Sequence, residues 1–336
     1  MDANLSEKAM YPIRTKHGYG VSNGTDWVIV PKYKWLQSFY GGYAYAESLE
    51  GTKFLIDKSG NEISLIELVR RVCTPDAIEF VNPNNAIDSP GCVVAKNADE
   101  LLVLSIDHEL RVNVVETFGP DCELSPYYGV DWLLIRVKEG GSYCTVMSHP
   151  ILGRVTLEGI EYVDPPYWEC ELLAIKEQND ASWAYYDIAA RELKRDRYYL
   201  AQSFSDGVGL VQQARSLKFE FLDVHLKHVR GLEFEWADVF RHGLAAGTQS
   251  GVSGYFDGAG MCRFRSDGDL GRFTRCGHVI IEYEEGHLGI FDHNGTMHIG
   301  GLDSCTYYDG DFPFYECERK GDDIVFAGNL KPIRSA

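Results

Sequence analysis

One short phrase recurs along the chain and limits its possible folds more than any other feature. It is two apolar or aromatic residues, then Asp, then a turn ending in Gly or a polar residue. Clean copies are Leu55-Ile56-Asp57-Lys58-Ser59-Gly60, Tyr255-Phe256-Asp257-Gly258-Ala259-Gly260 and Ile290-Phe291-Asp292-His293-Asn294-Gly295. Looser copies end at Asp107, Asp187 and Asp223, while Val146-Met147-Ser148 and Ile324-Val325-Phe326 occupy two further steps without the Asp. Positions 57, 107, 148, 187, 223, 257, 292 and 326 therefore mark eight units. An Asp can cap its own backbone and a Gly can take positive φ, so Asp57/Gly60, Asp257/Gly260 and Asp292/Gly295 read as structural turns.

A second phrase precedes the first by about 18 residues: an aromatic, a Gly turn, then alternating small and apolar residues. It is seen at Ser38–Ala46, Ser203–Val211 and Val239–Gly247. Small residues at alternate positions admit a ring or a neighbouring backbone. Each unit thus reads as strand, hairpin turn, strand, with one or two short strands more. The expected fold is all-β, a tandem repeat of about eight β-hairpin units in a stacked array; the alternative is a seven- or eight-bladed β-propeller. One segment departs from this. Ser64-Leu65-Ile66-Glu67 has the form of a capping box, and Leu65, Leu68, Val69 and Val72 follow helical spacing up to Thr74-Pro75, predicting one short helix near 64–72. Residues 82–91 read as a loop. The expected organisation is an N-terminal unit with its helix over 1–74 and a degenerate array over 75–336, continuous with it or forming one domain 1–336.

The N-terminal unit resembles a WG repeat. Its Gly18-Tyr19-Gly20-Val21-Ser22, Trp27-Val28-Ile29-Val30-Pro31-Lys32-Tyr33, Phe39–Gly42 and Phe54–Gly60 follow that family's order of aromatic-Gly step, strand, Ile/Val-Pro step and Asp-x-x-Gly turn. Tyr19-Gly20 stands where the family has Trp-Gly, and Leu288-Gly289 is a weaker copy. The match is good over 11–64, fair over 200–300 and poor over 75–170. The resemblance implies a β-repeat interaction scaffold without a common catalytic apparatus.

Chemistry is sparse by comparison. A turn residue is needed in every unit and a catalytic group only once, so the repeated Asp residues are structural. His225 and His228 would face opposite ways on a strand, and His287, His293 and His298 have no Cys or acidic partner at ligand spacing. No nucleophile elbow, P-loop, dinucleotide fingerprint or zincin helix motif is present. Nine cysteines, without a C-x-x-C pair, suggest neither a disulfide framework nor a zinc knuckle, but buried inert thiols. No catalytic residue, metal or cofactor is expected, and the chain reads as non-enzymatic. The N-terminus has no basic segment leading into an apolar one and no stretch is long enough to span a bilayer, so the expected compartment is the cytoplasm.

Charge is the best functional clue. Fifty acids against 32 bases give −18, which disfavours direct contact with nucleic acid. Residues 266–323 carry thirteen acids and four bases, a net −9, whereas residues 1–36 carry +2. Acids interleaved with tyrosines suit a basic protein partner, with charge steering encounter and aromatics supplying contact area. The partner-binding residues assigned on this basis are Glu282, Tyr283, Glu284, Glu285, Tyr307, Tyr308, Asp309, Asp311, Glu316, Glu318, Asp322 and Asp323. The functional expectation is a protein-binding repeat protein, an immunity-type inhibitor that caps a basic, nuclease-like secreted bacterial toxin by steric and electrostatic occlusion. A carbohydrate-binding or carbohydrate-active β-repeat protein, using scattered Trp and Tyr as stacking platforms, is the alternative.

Overall fold

The computed structural model describes residues 9–81, 91–128, 133–149, 153–164, 172–266 and 268–333. The loop assigned to 82–91 lies almost wholly outside them, as do Trp132, Trp168, Cys170 and Asp267. Among the described residues the fold is all-β, and its strands form eight small antiparallel sheets. We number these blades 1 to 8: residues 11–64, 77–118, 123–158, 160–193, 200–234, 236–265, 278–302 and 304–333. Every blade is a meander of strands consecutive in sequence. Blade 1 has six strands, blade 7 three and the others four.

The eight repeat positions fall one to a blade, each within one residue of the end of a strand. The turn chemistry is as the spacing predicts. Asp57 Oδ1 accepts from the backbone N–H groups of Ser59 and Asn61, while Gly60 N–H donates to the Asp57 carbonyl at φ +86°. Asp257/Gly260 and Asp292/Gly295 repeat the arrangement, with φ +77° and +78°. Behind this turn sits the small-residue alternation. A Cβ on Gly209 would lie 2.6 Å from the Tyr185 hydroxyl and 2.7 Å from the Phe204 ring, so the glycine is what lets the two rings close over the strand.

Two compact units share the chain. Met1–Pro120 with Asp303–Ala336 form the first, holding blades 1, 2 and 8; Asp121–Leu302 form the second, holding blades 3 to 7. Residues 75–120 therefore group with the N-terminal repeat and its helix. Within each unit the hydrophobic core lies between successive blades. Blades 3 and 4 share Leu134, Met147, Leu173 and Ile175; blades 5 and 6 share Phe221, Phe234, Phe240 and Phe256. In the first unit, Tyr45, Leu55, Val93 and Leu104 join blades 1 and 2, and Ile13 of blade 1 packs with Phe314, Val325 and Ile333 of blade 8. A linear array would hold its first and last repeats apart. Their packing makes the propeller alternative the right one, with eight blades.

Two expectations need correction. The helix spans only Leu65–Val69, and Ser64 caps it without any side-chain hydrogen bond. Ser64 instead ends the strand Glu62–Ser64, paired with Phe54, so the pairing holds its backbone extended. The helix persists because Leu65, Leu68 and Val69 fill the core between blades 1 and 2. Among the cysteines, Cys305 and Cys317 stand directly opposite each other across blade 8 and form a disulfide, a pairing that strand register creates and sequence spacing hides. Cys92 does match the reading of a buried inert thiol: burial pushes it up to about 12. No helix among the described residues is long and apolar enough to cross a membrane.

Candidate binding site in an aromatic and acidic pocket

Blades 1 and 8 enclose a cavity of about 310 Å³ in the first unit. Blade 1 contributes Pro12, Tyr19, Trp35, Leu36, Gln37, Ser38 and Tyr40; blade 8 contributes Tyr307, Tyr308, Asp309, Phe314 and Glu316. Half of the twelve lining residues are aromatic, and the only charged ones are two carboxylates.

Local structure explains how these side chains arrive. The long strand Trp27–Leu36 carries a register shift between Tyr33 and Trp35, and Trp35 is 40% exposed with its ring edge-on to Tyr45 at 5.3 Å. Leu36, Gln37 and Ser38 then run buried beneath it, with Gln37 N–H donating to the Tyr45 carbonyl. Tyr40 and Tyr43 close a tight turn whose central residues, Gly41 and Gly42, take φ +55° and +87°; two positive values are the demand of a type I′ hairpin. From the other side, the strands Ser304–Tyr308 and Phe314–Arg319 place Tyr308 opposite Phe314, and their rings stack at 4.7 Å and 11°.

The carboxylates are held by tyrosine hydroxyls. Tyr308 donates to Glu316 Oε2 at 2.9 Å, and Tyr307 to Asp309 Oδ1 at 3.3 Å, which also accepts from Gly310 N–H. Burial, reinforced by the Glu316 carboxylate, pushes the Tyr308 phenol up to about 12, with nearby Arg14 opposing the rise. At neutral pH Tyr308 is therefore an un-ionised donor that fixes Glu316 in place. The pocket can stack a planar or apolar group on its rings and neutralise a positive charge.

Beside this pocket lies a latch that Asp311 forms with blade 1. Its two carboxylate oxygens accept from Gly41 N–H at 3.1 Å and Gly42 N–H at 2.8 Å, and its own N–H donates to the Phe39 carbonyl. Lys58 Nζ stands 3.7 Å from Asp311 and over the Phe312 ring. Asp311 thus joins blade to blade.

The twelve residues assigned from charge are dispersed. Tyr307, Tyr308, Asp309 and Glu316 line the pocket, and Asp311 forms the latch. Glu318, Asp322 and Asp323 lie exposed on blade 8. Glu282, Tyr283, Glu284 and Glu285 belong to blade 7 in the second unit, where Tyr283 is occupied within its own blade, accepting from Gly301 N–H and lying edge-on to Phe291. Sequence reasoning missed every blade 1 residue of the pocket. The available signal was the propeller alternative itself, which puts the first unit beside the last. Among the histidines, His228 pairs with Glu220 and His298 with Asp292, and no described group of three or more His, Cys, Asp or Glu is placed to hold a metal.

No protein-family profile and no curated protein matches the sequence. Several solved structures do resemble the fold. Dihydro-heme d1 dehydrogenase NirN, in complex with DHE, is 10% identical, with 99% of this chain and 74% of that chain covered and a TM-score of 0.48. Hsv2 of Kluyveromyces lactis is also 10% identical, covering 75% and 91%, with a TM-score of 0.40. BamB from Moraxella catarrhalis is 10% identical, covering 88% and 80%, with a TM-score of 0.34.

Proposed function

We propose that this chain is a non-enzymatic protein-binding propeller whose partner is a basic protein, and that it works as an immunity-type inhibitor occluding a basic, nuclease-like toxin. Bladed repeat folds commonly serve as interaction scaffolds. The observation that carries the reading is a pocket walled by aromatics and charged only by carboxylates, on a chain of net charge −18. Acidic groups would pair with the Lys and Arg by which such a toxin grips its substrate, and long-range attraction would speed encounter.

The test is capture on the immobilised full chain from its source cells at low and high salt, with recovered proteins identified by mass spectrometry. The expected result is one basic protein, released by salt and toxic when expressed alone. Failure to retain any basic protein at low salt overturns the reading. Trp35, part exposed at the pocket, favours a second reading in which the site stacks a sugar ring. Salt-insensitive retention of a glycan, with no protein captured, would replace the first reading with this one.

A further inference from the structure

We propose that the pocket between blades 1 and 8 is a receptor for a single arginine side chain presented by the partner. This rests on the protein-binding reading and names what the site would recognise. The ligand is a cation because the only charges lining the cavity are Asp309 and Glu316. It is an organic cation because six of the other ten lining residues are aromatic, and among the described residues nothing is arranged as a metal site. Its size is that of a side chain: about 310 Å³ stands at the small end of ligand sites, too little for a folded element.

Guanidinium fits these walls better than ammonium. It is planar, so it can stack on Trp35, Tyr19 or Tyr308 while its N–H fork meets a carboxylate edge, and it is the more weakly hydrated of the two cations. A lysine ammonium is a compact, strongly hydrated point charge with no flat face to lay on a ring, so it gains less from a lining that is half aromatic. The receptor is also built in advance. Tyr308 and Tyr307 hydrogen bond to Glu316 and Asp309, and Tyr308 is stacked on Phe314, so few groups must be ordered when a ligand enters.

The experiment is calorimetric titration of the full chain with N-acetyl-arginine amide, N-acetyl-lysine amide and tetramethylammonium, repeated on D309N and E316Q. These substitutions keep an oxygen for the tyrosine hydroxyls and remove the charge, and a thermal melt checks that each variant is folded. The arginine probe is expected to bind in the millimolar range, about fivefold or more tighter than the lysine probe, with each variant losing about threefold or more. Equal or tighter binding of lysine or tetramethylammonium, no arginine binding up to about 10 mM, or unchanged affinity in both folded variants would overturn the proposal. Failure here is distinct from failure of the wider reading. A chain that captures a basic protein yet ignores the arginine probe loses only the pocket assignment. One that binds the probe and captures no basic protein keeps its arginine site and loses the toxin-inhibitor function.

Discussion

Two blade junctions, one in each unit, use the same device to different extents. At the junction of blades 5 and 6, Asp206 Oδ2 accepts from Gly243 N–H in the next blade at 2.8 Å, and Ser205 Oγ donates to the Phe240 carbonyl. At the junction of blades 8 and 1, Asp311 accepts two such N–H groups, donates its own N–H to Phe39, and has Lys58 beside it. Gly310 also packs so closely that an added Cβ would lie 2.6 Å from the Phe39 carbonyl. Blades 5 and 6 are covalently consecutive, whereas the groups joined at 8 and 1 are about 270 residues apart. Closing that long loop costs about 2 kcal/mol more chain entropy than closing the short one, an amount that the extra hydrogen bonds help to offset. The comparison teaches that the closing junction is the more heavily bonded of the two, with the aromatic and acidic cavity beside its latch.

The largest effect is expected from Gly310→Ala. Its φ of +137° and its contact with the Phe39 backbone give the new methyl no flexible neighbour to displace, so about 3 kcal/mol of stability should be lost in urea denaturation. Gly209→Ala, whose backbone is not left-handed and whose close neighbours are side-chain rather than backbone atoms, should cost less; an equal cost would mean that the closing junction is no tighter than an internal one. A third junction sharpens the contrast. Asp164 of blade 4 accepts from Ser203 N–H of blade 5 at 2.6 Å, yet burial outweighs that bond and lifts its carboxyl to about 6 from 3.8. The folded state thus holds the proton to higher pH than the unfolded chain does. The contribution of Asp164 is greatest below about pH 4 and declines through about pH 6, by up to about 3 kcal/mol. The denaturation midpoint of the wild type, taken relative to Asp164→Asn, should fall over that window. A flat difference would mean that the carboxylate is as well solvated here as at the other junctions.

Six of the eight turns were legible because their chemistry is local. An Asp that caps its own backbone announces itself within five residues, whereas Ser148 and Phe326 mark their blades by spacing alone. What the repeat phrase does not reveal is that in three of the turns leucine does the work of glycine. Leu110, Leu226 and Leu330 hold φ of +60°, +60° and +62° in the place that Gly60 takes in blade 1. The helix was over-read because helical spacing at 65–72 says nothing about the strand that claims Ser64. The pocket was half visible. Tyr307, Tyr308, Asp309 and Glu316 stand out as acids among aromatics, whereas Trp35 and Tyr40 look like ordinary repeat residues until blade 8 is laid against blade 1. The disulfide between Cys305 and Cys317 was hidden for the same reason, since only register sets them opposite each other.

Smaller effects test the latches directly. Asp311→Ala leaves two backbone N–H groups of a tight turn without their charged acceptor and should cost about 2 kcal/mol, against about 1 kcal/mol for Asp206→Ala, which strands one. Chemical denaturation of both variants decides the matter, and a larger loss in Asp206→Ala would reverse the ranking of the junctions.

The smallest effect carries the opposite sign. Leu330 sits in the left-handed region at φ +62° in the last turn of blade 8, where its N–H donates to the Ala327 carbonyl, and it belongs to none of the hydrophobic clusters described above. A leucine pays about 1 kcal/mol to stay in that conformation, and glycine does not. Leu330→Gly also frees the unfolded chain, which takes back part of the gain. A net stabilisation of roughly 0.5 kcal/mol is expected, read as a small rise in melting temperature. At Leu226, which packs against the core of blades 4 and 5, the same substitution should destabilise, because the lost burial exceeds the strain relieved. If both variants lose stability to the same degree, Leu330 has a packing role like that of Leu226, and the strain at the end of blade 8 is offset there by contacts rather than tolerated.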